Sequence, residues 1–358
     1  MGLIVTKEED VELYYESCAL NQSKLKKLKK GVEEYLKEDS SDKPHFVIGS
    51  AVDTLLTGEK YSFNKKYYVS KLQNLPSELE MNMLKDIFNN SEIKNTPLQE
   101  CDIEKTILKF NWQPSWKMET KINKLIDTGS GYYDELIASQ GKTVLSVEQD
   151  TLIRNIVDSF QHSIFGKRFL DSLPGHIDVY FQLPIYFKIK DVNCKALLDV
   201  LIIDNEKKTI EIIDLKTMEG SIINFPENAK KYDYFFQIAF YNLAVQNLFK
   251  DLLDKGFTIV SNKFLVQSKS HIKLPVTFVV EESVINDYIY GTEDKFYQGK
   301  LVKKGLPSFE KLVDIFNYHN EGNGFYMDKI IEDFDGVLTL DGNYNIVNGT
   351  EDKSTIQE

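Results

Sequence analysis

Residues 194–217, CKALLDVLIIDNEKKTIEIIDLKT, decide the fold of this chain. Two runs of Leu, Val and Ile, of the kind that fill a buried sheet, are separated by the polar NEKK, which predicts two strands joined by a short hairpin loop. The runs also carry Asp199, Asp214 and Lys216. Charges in buried strands are costly unless they are paired or bound to a metal, so these three residues indicate more than packing.

The expected register of this hairpin brings its acids together. If Ile203 pairs with Ile210, Asp199 lies directly opposite Asp214, with Cβ atoms about 4.5–5.5 Å apart. Such carboxylates repel unless a proton or a cation lies between them. Mg²⁺ suits them, because it binds carboxylate and carbonyl oxygens, keeps several waters and bridges to phosphate oxygens. A simpler interpretation stays open: the two acids end their strands near solvent, and Lys216 is their salt-bridge partner.

The sequence around the hairpin predicts a mixed α/β fold, with a central mixed β-sheet flanked by helices and with helical insertions. A helix with a capping box from Ser146 to Gln149 precedes three strand-like runs, and a long helix and further strands follow them. We therefore expect four regions: a helical region that contributes to the site, a core, a mainly helical extension and a disordered tail, at 1–145, 146–280, 281–345 and 346–358.

Two helices are predicted in the first region. The first begins at Ser23 as N-cap, runs through Leu36 and carries several lysines, among them Lys24 and Lys27, on its polar face. These lysines are either a solvated face or a phosphate-backbone contact. The second helix, HFVIGSAVDTLLTGE, has small residues such as Ser50 and an acid, Asp53, where an apolar residue would be expected.

Composition limits the classes of function. The 358 residues carry a net charge of −12, so the surface as a whole should repel nucleic acid unless basic groups cluster. The three cysteines include no CxxC pair, which is the usage of a reducing compartment and argues against a four-cysteine cluster. Because neither a signal peptide nor a long apolar span is visible, we expect no membrane contact and a cytoplasmic location, in a bacterial host if the chain is phage-encoded.

The segments LLDVLIID, IEIIDLKT and YDYFFQIAFYNLA together resemble the PD-(D/E)xK nuclease superfamily, and within it the exonucleases related to RecE, RecB and phage lambda exonuclease. In that family a Gln-x-x-x-Tyr motif follows the DxK strand, and Gln237 and Tyr241 match it. The upstream segments NQSKLKKL and GSAVDTLL fit the family's two N-terminal helices. The resemblance covers roughly residues 10–280 and implies a restriction-endonuclease-like core.

The resemblance implies a role for each matching residue. Asp199 and Asp214 would bind metal together with the Leu215 carbonyl, and Lys216 would handle the attacking water. Gln237 would anchor the site or a substrate phosphate. For Tyr241 two interpretations remain, a phosphate contact and a core aromatic. Thr217, Ser50, Lys24 and Lys27 are the expected DNA contacts.

Two positions depart from the family pattern. Asp53 stands where relatives often have His, and we keep it as an expected metal ligand. Gln182 stands where many have Glu, and a neutral amide there weakens metal binding or changes its role.

The implied function is an Mg²⁺-dependent exonuclease, with Mn²⁺ as a substitute, that resects linear duplex DNA in phage-type recombination or repair. A single-strand annealing protein is the expected partner, and a homo-oligomer is a further expectation. The alternatives are a catalytically impaired DNA-binding or scaffold protein and an endonuclease, both on the same fold.

Overall fold

The structure, a computed structural model, describes residues 3–5, 7–37, 44–57, 60–91, 96–167, 173–297 and 300–320. The predicted tail at 346–358 and the part of the predicted extension after residue 320 lie outside them. Ten strands are described: β1 (Leu3–Val5), β2 (Tyr67–Val69), β3 (Thr143–Leu145), β4 (Ile177–Ile189), β5 (Val192–Asp204), β6 (Thr209–Met218), β7 (Thr258–Ser268), β8 (Val276–Val280), β9 (Lys295–Tyr297) and β10 (Lys300–Lys303).

Fifteen helices are described in the same residues: α1 (Glu8–Glu16), α2 (Gln22–Leu28), α3 (Val32–Leu36), α4 (Pro44–Thr57), α5 (Lys60–Lys66), α6 (Glu78–Asn90), α7 (Ile103–Lys109), α8 (Met118–Ala138), α9 (Val147–Gln161), α10 (Ile164–Gly166), α11 (Phe225–Lys231), α12 (Tyr234–Leu248), α13 (Lys250–Asp254), α14 (Glu282–Tyr290) and α15 (Phe309–Asn320). Among the described residues, no helix is both long and apolar enough to cross a membrane.

The central sheet has six strands in the order β1-β4-β5-β6-β7-β8. Strands β4, β5 and β6 form an antiparallel meander, while β1 runs parallel to β4 and β7 parallel to β6. The parallel pair β6 and β7 is joined by α11, α12 and α13, as such a crossover requires. The predicted mixed sheet flanked by helices is therefore confirmed.

Helices cover both faces of this sheet. Alternate residues of β6 belong to different core clusters: Ile210 and Ile212 pack with α12, whereas Ile213 and Leu215 pack with α4 and α9. Helix α12 is apolar on nearly all sides and has eight buried residues. Its large apolar side chains, such as Phe240, each contribute about 1.5–3 kcal/mol to stability. Helices α6, α7 and α8 form a third, separate core.

Two predicted helices are shorter than the sequence indicated. The first begins at Gln22, and its N-cap is Asn21, whose side chain accepts from the Lys24 N–H, so the predicted Ser23 cap is wrong. This helix ends before Gly31, whose φ of 128° breaks the chain into α2 and α3. The predicted long helix is likewise divided, because Asp233 is left-handed at φ 54°.

Candidate active site

The candidate site lies where β6 meets the first turn of α12. Asp214 is fully buried on β6, and its Oδ1 accepts from Gln237 Nε2 at 2.9 Å. Its Oδ2 is ion-paired with the ammonium of Lys216. Gln237 also donates to the Tyr241 hydroxyl at 2.9 Å, so one amide links the strand acid to the helix tyrosine. The spacing of four places both side chains on one face of α12, as the sequence predicted.

The predicted hairpin register is confirmed as far as Val200, which pairs with Ile213, and the ladder ends there. At the next position the Leu215 N–H donates to the carboxylate of Asp199 at 2.8 Å. The side chain of Asp199 thus takes the place of a backbone acceptor where β6 separates from β5. The two acids are close, but they are not a regular cross-strand pair.

Strand alternation also shifts by one residue at Asp199. Before it, Ala196 and Leu198 belong to the core on the α12 face, and after it Leu201 and Ile203 do. A regular strand would keep a single parity on that face. The irregularity turns the Asp199 side chain towards an open pocket and away from the packed core.

On β4, Gln182 lies opposite the irregular position at Asp199. It would pair with Asp199, since Phe181 pairs with Val200 and Leu183 with Leu198, but its backbone is left-handed at φ 49°. A left-handed non-glycine residue inside a strand is strained, and such strain concentrates at functional sites. Its amide Nε2 lies 3.4 Å from Asp199 Oδ1.

Asp53 approaches the same carboxylates from α4 on the other face of the sheet. The helix comes close because Gly49 has no side chain: a Cβ there would lie 3.2 Å from the Thr217 hydroxyl of β6. Thr217 therefore packs against α4, and it is not among the residues that line the pocket. Ser50, one residue on, lines the pocket and accepts from the Tyr67 hydroxyl at 3.0 Å.

Replacing Gly49 by Ala tests this close contact between α4 and β6. Alone, the change should alter stability little, because the gain in helix propensity of about 1 kcal/mol is offset by crowding against the hydroxyl. In a Thr217→Ala background the same change should raise the free energy of unfolding by about 1 kcal/mol. Thr217→Ser, which keeps the oxygen, is the matched control. Urea unfolding gives the values, and an equal effect of Gly49→Ala in all three backgrounds would contradict the contact.

A pocket of about 850 Å³ opens onto the site. Asp53, Asp199, Gln182 and Tyr241 lie on its wall. Glu9 and Glu12 of α1 also line it. Five lysines line it as well, namely Lys7, Lys24, Lys65, Lys66 and Lys195. Predicted Lys24 is thus at the site, whereas Lys27 lies away from the pocket and donates to the Lys37 carbonyl at 2.6 Å.

Burial dominates the electrostatics of the carboxylates. Burial, with the nearby charge of Asp214, raises the pKa of Asp199 to about 7. The pKa of Asp53 is raised by burial and by the charge of Asp199. Burial lowers the pKa of Lys216, but Asp214 and Asp199 more than offset this effect and raise it to about 12. Lys216 therefore stays positively charged, whereas Asp53 and Asp199 resist being ionised at the same time.

The donor set fits a hard divalent cation. Mg²⁺ commonly uses one or two carboxylates and keeps several waters, and Asp53 and Asp199 supply two carboxylates on one pocket wall. A cation beside them offsets the repulsion that raises their pKa values. Among the described residues, no group of three or more His, Cys, Asp or Glu side chains is placed to hold a metal, and Asp214 is paired with Lys216.

The sequence interpretation missed several residues at this site. Lys195 lines the pocket two residues before Leu197 and four before Asp199 on β5. Its ammonium donates to the carbonyls of Tyr14 and Ser17 at 2.5 and 2.7 Å, which ties the end of α1 to the strand. Its position in an apolar run was a signal. Tyr15 of α1 and Lys66 of α5 also line the pocket. The sequence held no signal for them, because they come from separate helices.

No protein-family model matches this chain, and no curated protein matches it. Among solved structures, it is similar to a protein of Eubacterium rectale named "Putative exonuclease". The two are 11% identical with a TM-score of 0.30, and the match covers 64% of this chain and 77% of the other. A likeness of this size supports no inference about function.

Proposed function

We propose that this protein is an Mg²⁺-dependent DNA nuclease, and in its finer form an exonuclease that resects linear double-stranded DNA. One observation carries the proposal: Asp199, Asp214 and Lys216 meet where two strands of the sheet separate, beside an open pocket. Clustered carboxylates beside a lysine are the groups that phosphodiester hydrolysis needs.

Each residue then has a task in hydrolysis. Asp53 and Asp199, with Asp214 and the Leu215 carbonyl nearby, would hold Mg²⁺. Bound there, the ion supplies Lewis-acid polarisation of a phosphoryl oxygen, and Mn²⁺ would serve in its place. The Lys216 ammonium stabilises the negative charge that grows on the phosphate.

Two amide groups hold this arrangement in place. Gln237 fixes the orientation of the Asp214 carboxylate through a hydrogen bond of 2.9 Å, and its second bond ties Tyr241 to the same unit. Gln182 lies beside Asp199 and keeps the neighbouring position neutral. The acids are therefore oriented before substrate or cation arrives, which is what catalysis by preorganised charge requires.

Replacing Gln182 by Glu should place a further carboxylate beside Asp199. The variant should be less stable than the unmodified protein without divalent cations, because another acid joins a repelling pair. It should also bind Mg²⁺ about tenfold more tightly, since ligand charge tunes affinity. Gln182→Asn is the neutral control. Thermal unfolding in EDTA and across an Mg²⁺ titration measures both effects, and unchanged Mg²⁺ dependence would remove Gln182 from the cation site.

Lysines around the pocket give an acidic protein a local site for DNA phosphates. In an Asp214→Asn background, Lys24→Ala and Lys66→Ala should each weaken DNA binding uniformly across sequences and reduce the slope of log K against log salt by about one. Lys250→Ala, at the start of α13, and Lys255→Ala, at its C-cap, are matched controls beyond the far end of α12. Fluorescence anisotropy at several salt concentrations gives the slopes. Equal slopes for both pairs would show that DNA does not use this pocket.

A requirement for DNA ends distinguishes an exonuclease from an endonuclease of the same fold. Supplied with Mg²⁺, the protein should digest linear duplex DNA and spare covalently closed circles. Linear duplexes with and without a 5′ phosphate are a second comparison. Cleavage of closed circles would indicate an endonuclease of the same fold. We also propose that a single-strand annealing protein receives the resected strand. A homo-oligomeric enzyme is a further part of the proposal.

One observation favours a second function, a DNA-binding or scaffold protein without catalysis. Asp214 is already engaged by Lys216 and Gln237, and Gln182 contributes no charge. This function predicts DNA binding with no Mg²⁺-dependent product. The same digestion therefore decides between the two.

A further inference from the structure

Three aromatic rings form a stack that runs from the core to the surface beside the candidate site. Phe225 is buried and stacks on Tyr234, with centroids 6.1 Å apart and planes at 23°. Tyr234 in turn stacks on Tyr232 at 5.7 Å and 27°. The outermost ring, Tyr232, is 48% exposed. We call these three residues the aromatic stack.

A strained turn holds the two tyrosines together. Tyr232 and Tyr234 flank Asp233, whose left-handed backbone separates α11 from α12. Lys29 and the Tyr288 hydroxyl bind the Asp233 carboxylate at 2.6 and 2.7 Å. These contacts, from the C-cap of α2 and from α14, stabilise a conformation that costs about 1–3 kcal/mol. The exposed ring is thus fixed by its neighbours and is not a loosely placed surface side chain.

Cations surround the stack, although the protein as a whole is acidic. The Lys216 ammonium lies 4.9 Å from the centroid of Tyr234. Lys231 lies over the exposed Tyr232 ring at 5.2 Å, and Lys26 donates to the Tyr232 carbonyl at 3.0 Å. Lys26 is also near enough to Lys216 for the two charges to interact.

A half-exposed ring among lysines fits one chemical class of ligand. A nucleotide offers a flat base for the ring and a phosphate for the ammonium groups, and stacking of this kind is tolerant of sequence. An apolar protein surface would leave the lysines without partners. A paired base inside a duplex does not expose its face, whereas an unpaired base at a DNA end does.

We propose that Tyr232 is a stacking platform for an unpaired base of the strand that is cut, next to the phosphate at Lys216. The proposal rests on the nuclease function proposed above and narrows its substrate to a strand whose end is separated from its complement at the site. Lys231 moves from the ring to a phosphate when the base stacks. The base continues the aromatic stack outward as a fourth ring.

The test uses Asp214→Asn protein and a DNA end with unpaired 2-aminopurine, whose fluorescence falls on stacking. Binding should quench the probe. Adding Tyr232→Ala should abolish the quenching and weaken binding about tenfold, the lower part of the range for loss of one base–aromatic stack. Tyr232→Phe should retain both properties. Trp116→Ala, which removes a ring that is 41% exposed in the α7–α8 connection, is the control and should change neither.

A second measurement requires no change at Tyr232. An abasic nucleotide at the probe position should weaken binding by the same factor in Asp214→Asn protein and have no further effect once Tyr232→Ala is added. Unchanged quenching with Tyr232→Ala, or equal penalties for the abasic nucleotide with and without it, would overturn the platform. Digestion by unmodified protein with Mg²⁺ is scored separately: no digestion with intact stacking contradicts the nuclease function alone, and digestion without stacking contradicts the platform alone.

Discussion

Replacing Lys216 by Gln is expected to slow single-turnover DNA cleavage by about 10²–10⁴ at saturating Mg²⁺. The physical reason is that its ammonium, paired with Asp214, is the only side-chain cation that the described residues place on a carboxylate of the site. Removing it withdraws the positive charge that faces the phosphate in the transition state. Quenched-flow measurement on an end-labelled duplex gives the rate.

The same substitution should also destabilise the protein, and the two effects need separating. Asp214 is fully buried, and removal of its partner leaves an uncompensated charge at a cost of about 3–5 kcal/mol. The double variant Lys216→Gln/Asp214→Asn removes both charges and should recover most of that stability while staying inactive. A single variant that cleaves within a few-fold of the unmodified rate would contradict the role of Lys216.

Replacing Asp199 by Asn should have opposite effects on activity and stability. Cleavage should fall by at least a hundredfold, because a ligand for Mg²⁺ is lost. The metal-free protein should become more stable at pH 8, by on the order of 2 kcal/mol, since a carboxylate whose pKa is raised by burial and by Asp214 no longer has to ionise in the folded state. The Leu215 N–H keeps an acceptor in the asparagine oxygen.

The gain in stability from Asp199→Asn should depend on pH, because it comes from the titration of Asp199. The pKa of Asp199 is about 7 in the folded protein, above the ordinary value near 4. The folded state therefore binds more protons between these values, and its stability falls as pH rises through this window. The Asn variant lacks this loss, so the difference in unfolding free energy should be near zero at pH 4 and grow towards pH 8. Urea unfolding in EDTA measures it, and a difference that does not change with pH would contradict the assignment.

The sheet could be predicted from sequence because its central strands are continuous apolar runs bounded by a polar loop. The two apolar runs separated by NEKK predicted both strands, and Ile203 pairs with Ile210 as expected. The assumption of regular alternation failed at Asp199, where the side chain replaces a ladder acceptor and Gln182 is left-handed. Local irregularities of this kind depend on tertiary contacts that no periodicity records.

The long helices show the same limit. Gly31 and Asp233 divide predicted helices, and neither break interrupts the apolar pattern enough to be seen. The break at Asp233 depends on Lys29 and Tyr288, which are distant in sequence. The break at Asp233 therefore follows from side chains that meet only after the chain has folded.

The candidate site was predicted in part. Asp53 and Asp199 stood out as acids in apolar segments, and the resemblance to a nuclease family added Gln237. The structure brings these residues together around one pocket wall and one buried acid. The lysines of the pocket could not be predicted as a group, because the N-cap of α1 and the elements α2, α5 and β5 each contribute one or two. The aromatic stack depended likewise on the fold of a turn.

Mg²⁺-dependent release of nucleotides from an end-labelled linear duplex, by unmodified protein and by Asp214→Asn in parallel, tests the central claim most directly. The unmodified protein should release nucleotides with Mg²⁺ and none in EDTA, while Asp214→Asn should stay folded by circular dichroism and be at least a thousandfold slower. Equal release by the two proteins, or release by unmodified protein that is the same in EDTA, would contradict the assignment of this site to DNA hydrolysis.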